Sequence, residues 1–120
     1  MGNVYVTNLG GHDYSDAKRF GNLVFLTSQG FNPKDLDRVS FLLAEKLENF
    51  DPDQDYFLPV GQDLIILTAF YILAQRHSKF NVLFWDFRAR RYVVQEYSGE
   101  LLERIFENLK LKKELIASEA

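Results

Sequence analysis

At 120 residues and 47% apolar side chains, the chain is one domain with one core and is too apolar to stay disordered. The absence of cysteine excludes a disulfide framework and a thiolate metal site. A net charge of −3 argues against strong nonspecific nucleic-acid binding, yet the charge is uneven: Arg76 to Arg91 holds five basic residues against Asp86, and the remainder is acidic.

In chain order, Asn3 to Asn8 is rich in Val, Tyr and Thr and predicts a strand. Gly10 to Gly21 is a polar connection that can hold one helical turn, with Asp13 or Ser15 as its cap. Leu23 to Thr27 predicts a second strand. Asn32 as cap, Pro33 at the first helical position and Asp35 in the first turn then announce a helix. Its apolar face is Leu36, Val39, Leu43, Leu47 and Phe50, and Asp51-Pro52 ends it. Tyr56 to Val60 is a third strand, with Pro59 suited to its end.

Gly61-Gln62-Asp63 turns the chain into a second helix, Leu64 to about His77. It is apolar on nearly every face, which predicts a central position or burial by a second subunit. The nearly apolar run Leu64 to Ala74 is too short to cross a bilayer, which takes about 20 residues. Asn81 to Phe87 predicts an interior strand and Tyr92 to Tyr97 its hairpin partner, joined by Arg88-Ala89-Arg90-Arg91. A last helix opens at Ser98 or Gly99 with the stripe Leu101, Leu102, Ile105, Phe106 and Leu109, and the charged tail from about residue 111 is expected to fray. This order predicts a single Rossmann-like α/β domain. Its sheet is mixed, mostly parallel and five-stranded, with three helices and a C-terminal β-hairpin.

Two residue groups suggest sites. The first is the loop Gly10-Gly11-His12-Asp13 with Arg19, together with Gln62 and Asp63. Glycine amides and an arginine can meet an anion, and loops after parallel strands share one rim of the sheet. A tight turn capped by Asp13 explains the same loop without a ligand, and Asp63 can simply cap its helix. The second group is Arg76, Lys79, Trp85, Arg88, Arg90, Arg91 and Tyr92, an aromatic and basic surface. With 15% aromatic residues, some rings are expected at a partner surface.

No P-loop, G-x-G-x-x-G, G-x-S-x-G or H-E-x-x-H pattern occurs, so the residues read as a binding domain rather than an enzyme, with no cofactor and no metal site assigned. A small hydrolase using His12 is the weakest alternative. High aromatic content and opposed charge predict a homodimer or higher oligomer. No secretory leader is seen, so a cytoplasmic location is expected.

The stretch Val4-Tyr5-Val6 through Gly11-His12-Asp13-Tyr14-Ser15 and Arg19-Phe20-Gly21 to Leu23-Val24-Phe25-Leu26-Thr27 resembles small α/β accessory proteins of tailed bacteriophages. Phe80 to Asp86 with Arg91-Tyr92 is similar to their second half. The resemblance implies an accessory protein acting in the host cytoplasm. Phage proteins of this size capture nucleotide-like, phosphate-bearing small molecules or inhibit host proteins. The first of these is the expected function, through a cleft at the strand carboxyl ends. Inhibition of a host protein through the aromatic and basic surface is the alternative.

Overall fold

The computed structural model describes residues 2–28, 30–32 and 34–119. Strands β1 (Asn3–Val6), β2 (Asn22–Phe25), β3 (Tyr56–Leu58), β4 (Lys79–Asp86) and β5 (Arg91–Ser98) form one sheet in the order β2-β1-β3-β4-β5. The first four run parallel, and β5 pairs antiparallel with β4 as the expected hairpin. The helices are α1 (Leu36–Lys46), α2 (Asp63–Arg76) and α3 (Gly99–Glu119), and a 3-10 helix spans Ser15–Arg19. The mixed, mostly parallel α/β sheet is therefore the one the sequence predicts.

Right-handed crossovers explain the layering. From β1 the chain steps outward to β2, and from β2 it steps back across β1 to β3 and then on to β4. The reversal puts the first connection on one face of the sheet and α1 and α2 on the other. The helical face buries Leu43, Leu47, Phe57, Ile65, Leu73 and Val82 in the larger core. On the opposite face Val4, Val6, Leu58, Leu83 and Tyr92 pack against Tyr14 and Ala17 of the first connection. Alternation along β1 serves both faces, with Tyr5 toward the helices and Val4 and Val6 away from them.

Three local expectations need correction. The cap of α1 is Asp35, whose carboxylate accepts the N–H groups of Asp37 and Arg38, and not Asn32. Pro33, expected at the first helical position, lies outside the described residues. Helix α2 is not buried all round: Ile65, Ala69 and Leu73 are buried, Ile66 and Ile72 are half-buried, and Leu67 and Tyr71 are 66% and 65% exposed. One helical layer over one sheet covers only one side of a helix. Third, α3 does not stop near residue 111 but continues to Glu119.

Candidate binding site at the carboxyl rim of the sheet

The first connection is fixed by Tyr14. Its buried ring meets Phe25 edge-on at 5.6 Å, and its hydroxyl donates to the Asn8 carbonyl at 3.0 Å. The same oxygen accepts the Gly10 N–H at 3.3 Å, so that amide is already engaged, whereas Gly11 stands in open space. Asp13 accepts the Ser15 N–H at 2.9 Å, and this hydrogen bond holds its carboxyl below the ordinary range.

Arg19, expected to meet an anionic ligand, is engaged within the fold. Its Nε lies 3.1 Å from Asp16 Oδ1, its Nη2 donates to the Tyr92 carbonyl, and its guanidinium sits 4.1 Å from the Phe20 ring centre. The other Asp16 oxygen accepts the Tyr92 N–H at 2.7 Å, which with Arg19 keeps that carboxyl below its ordinary range. Tyr92 lies on β5, a sheet edge whose free backbone groups would otherwise recruit another strand. Asp16 and Arg19 satisfy both groups and latch the 3-10 helix to that edge.

Parallel β1 and β3 do bring their following loops to one rim, as the sequence predicts. The crevice between them is filled, however. The Thr7 hydroxyl accepts the Val60 N–H at 2.6 Å, and Thr27 Oγ1 donates to the Thr7 carbonyl at 2.7 Å. Gly61 has φ +97°, and a Cβ there would come within 2.8 Å of the Asn8 side chain. Only glycine fits both the conformation and the contact. From this rim the loops diverge. Gln62 Nε2 donates to the Phe31 carbonyl at 2.9 Å, on the α1 side, and Asp63 starts α2. His12 and Asp13 belong to the opposite face, where the His12 ring lies 6.0 Å from that of Tyr14. Gln62 and Asp63 line neither concavity that His12 and Asp13 border.

The more apolar of those concavities, about 500 Å³, lies beyond the ends of β3 and β4. Val60, Leu83, Trp85 and Tyr92 form its floor, His12 and Asp13 one rim, and Phe87 a lip that is 84% exposed. Trp85 and Tyr92 are cross-strand partners with rings edge-to-face at 5.0 Å. Burial pushes the Tyr92 hydroxyl pKa above its usual value. The sequence reading missed Phe87, Val60 and Leu83. Phe87 carried a signal, since a large apolar residue entering a hairpin turn is out of pattern.

After Phe87 the turn is tightly specified. Asp86 Oδ1 accepts the N–H groups of Arg88 (2.9 Å) and Ala89 (3.2 Å), and its carbonyl accepts that of Arg90 (2.8 Å). Arg90 adopts φ +54°, the left-handed region where glycine or asparagine is favoured. Arg88, Arg90 and Arg91 are exposed and make no ion pair among the described residues. The basic group expected around them divides. Lys79 starts β4, about 23 Å of extended chain from Asp86. Arg76 donates to the Ala44 carbonyl at 2.9 Å, tying α2 to α1. Trp85, Arg88, Arg90, Arg91 and Tyr92 remain together. Among the described residues, no three His, Asp or Glu side chains are grouped to hold a metal, and no serine hydroxyl bonds to His12.

Fold and site define a small, mostly parallel α/β sheet protein with an aromatic concavity on its carboxyl rim. Comparison with protein families gives the narrower assignment: the chain belongs to the phage Pam3 gp32-like protein family, whose model matches residues 3–98. The match ends on the last residue of β5, so α3 lies beyond it. No significant match was found to any curated protein or to any solved structure.

Proposed function

We propose that this phage protein is a non-enzymatic binding module for a nucleotide-like, phosphate-bearing small molecule, held in the concavity between His12–Asp13 and the β4–β5 turn. The observation that carries the reading is an aromatic concavity floored by Trp85 and Tyr92, with the exposed arginines of the turn that follows Phe87 beside it and not in its lining. A planar base stacks on an exposed aromatic face, here that of the half-exposed Trp85 backed by the buried Tyr92, with a gain of about 1–3 kcal/mol, and guanidinium groups bind phosphate in two-pronged fashion. At about 500 Å³ the concavity falls in the range of small-molecule sites. Arg90 adds support: it holds the left-handed conformation at φ +54°, a strained state of the kind that clusters at functional positions. Relative to the expected cleft, the anion-binding role moves from Arg19 and the Gly10-Gly11 amides to Arg88 and Arg90. His12 and Asp13 keep their place at the rim, and Gln62 and Asp63 have no part.

Trp85 is the sole tryptophan, so its fluorescence reports on this site alone. Titration with nucleoside mono- and diphosphates and cyclic dinucleotides is expected to give a saturable change for at least one of them, abolished in Arg88→Ala/Arg90→Ala. No change with any up to about 1 mM, a concentration that still detects binding worth about 4 kcal/mol, would refute the reading. The alternative, a surface that inhibits a host protein, is favoured by Phe87, since an exposed aromatic residue followed by the exposed Arg88, Arg90 and Arg91 has the composition of an interface anchor.

A further inference from the structure

Helix α3 has no place in either core. It touches the rest of the chain near its root, against β5, where Leu102 lines a small hollow with Phe70, Phe80 and Tyr97, and none of its residues is buried. At 21 residues it is about 31 Å long. The consequence is visible in the whole molecule. The radius of gyration is 17.4 Å, against about 14 Å for a compact chain of this length. The accessible surface is 8415 Å², against about 6,700 Å² expected from the mass.

The excess surface is apolar in a particular pattern. Leu102, Ile105, Leu109 and Ile116 follow three- and four-residue steps with Lys112 at the one vacant position, and Phe106 and Leu101 flank them. Every large apolar side chain of α3 is 42–64% exposed. Glu100 in the first turn suits a lone helix through its dipole, but a lone helix has no use for a continuous apolar stripe.

We infer that α3 pairs antiparallel with α3 of a second copy of this chain, forming a two-fold dimer. Two observations select that occupant and that orientation. The surplus surface, about 1,700 Å², exceeds the roughly 800 Å² that each partner buries in a stable interface. The charges then fix the direction. Glu100, Glu103 and Glu107 outnumber Arg104 before Leu109, and Lys110, Lys112 and Lys113 outnumber Glu114 and Glu119 after it. Parallel pairing would set Lys112, on the stripe itself, against its own copy. Antiparallel pairing sets it against the partner's acidic half, a self-complementary contact of the kind a two-fold axis requires.

Light scattering on the full chain tests this, with a mass of twice 14.0 kDa expected at micromolar concentration. Ile105→Glu/Leu109→Glu is expected to raise the dissociation constant by about a hundredfold or more, since it places carboxylates in an apolar seam. Because both positions lie outside the cores, the circular dichroism of the sheet domain should persist. Lys112→Leu is expected to tighten association. The chain has no cysteine, so orientation can be read by cross-linking. A mixture of Glu100→Cys and Ser118→Cys proteins should form the mixed disulfide, and Glu100→Cys alone should not. A 14.0 kDa monomer at about 100 μM, a dimer that survives Ile105→Glu/Leu109→Glu, or efficient self-cross-linking of Glu100→Cys would each overturn the inference.

Discussion

Arg90 and Arg19 are both loop arginines, yet the fold uses them in opposite ways. Arg90 sits at φ +54° and makes no ion pair among the described residues, whereas Arg19 is bound to Asp16 and to the β5 edge. Replacing Arg90 by Gly should stabilise the protein by about 1 kcal/mol, because the left-handed conformation costs a side-chain-bearing residue that much. The same change should weaken nucleotide binding, so urea denaturation and Trp85 fluorescence will move in opposite senses. Arg19→Ala should instead lower stability by about 1 kcal/mol, below the roughly 1.5–3 kcal/mol of a charge-assisted hydrogen bond because the guanidinium is partly exposed.

Asp16 adds a pH dependence. Its carboxyl is held below its ordinary value chiefly by the Tyr92 N–H and then by Arg19. The stabilisation is therefore complete above the unfolded-state value of about 3.9 and is lost as pH falls through the lower folded-state value. Denaturation followed from pH 5 to pH 2.5 should show a steeper loss for the natural chain than for Asp16→Asn.

At the scale of elements, the parallel strands and their crossover helices were legible because each strand has a compact β-rich pattern and each turn its own punctuation. Which side of the sheet each loop takes was not. That depends on the reversal of direction between β1→β2 and β2→β3, which local sequence does not carry. His12 and Gln62 therefore share a rim without sharing a site. Apolar content also overstated the burial of α2, because hydropathy cannot distinguish a side facing the core from one facing solvent or another chain. The structure separates the two. Leu73→Ala should cost about 2–5 kcal/mol, and Leu67→Ala well under 1 kcal/mol. Equal losses at the two positions in thermal denaturation would contradict this packing. Helix α3 was signalled by its stripe, but its charged second half reads in isolation as a fraying tail. Only the apolar positions Leu115 and Ile116 beyond the lysines mark its continuation.

At the scale of the molecule, the chain divides its tasks along its length. The sheet and two helices form the body, the carboxyl rim and the β4–β5 turn form the proposed site, and α3 extends from the other end of β5. The proposed ligand and the second copy thus occupy distant surfaces and can be tested separately. The family match confines the phage assignment to residues 3–98, which include every residue of the proposed site. The most direct test of that site is an amide chemical-shift map of the full chain titrated with the nucleotide that changes Trp85 fluorescence. Shifts are predicted to cluster at His12–Asp13, Val60 and Trp85–Arg91, with Gln62, Asp63 and α3 unmoved. Shifts centred on Phe31, Gln62 and Asp63, or scattered without a focus, would contradict the account.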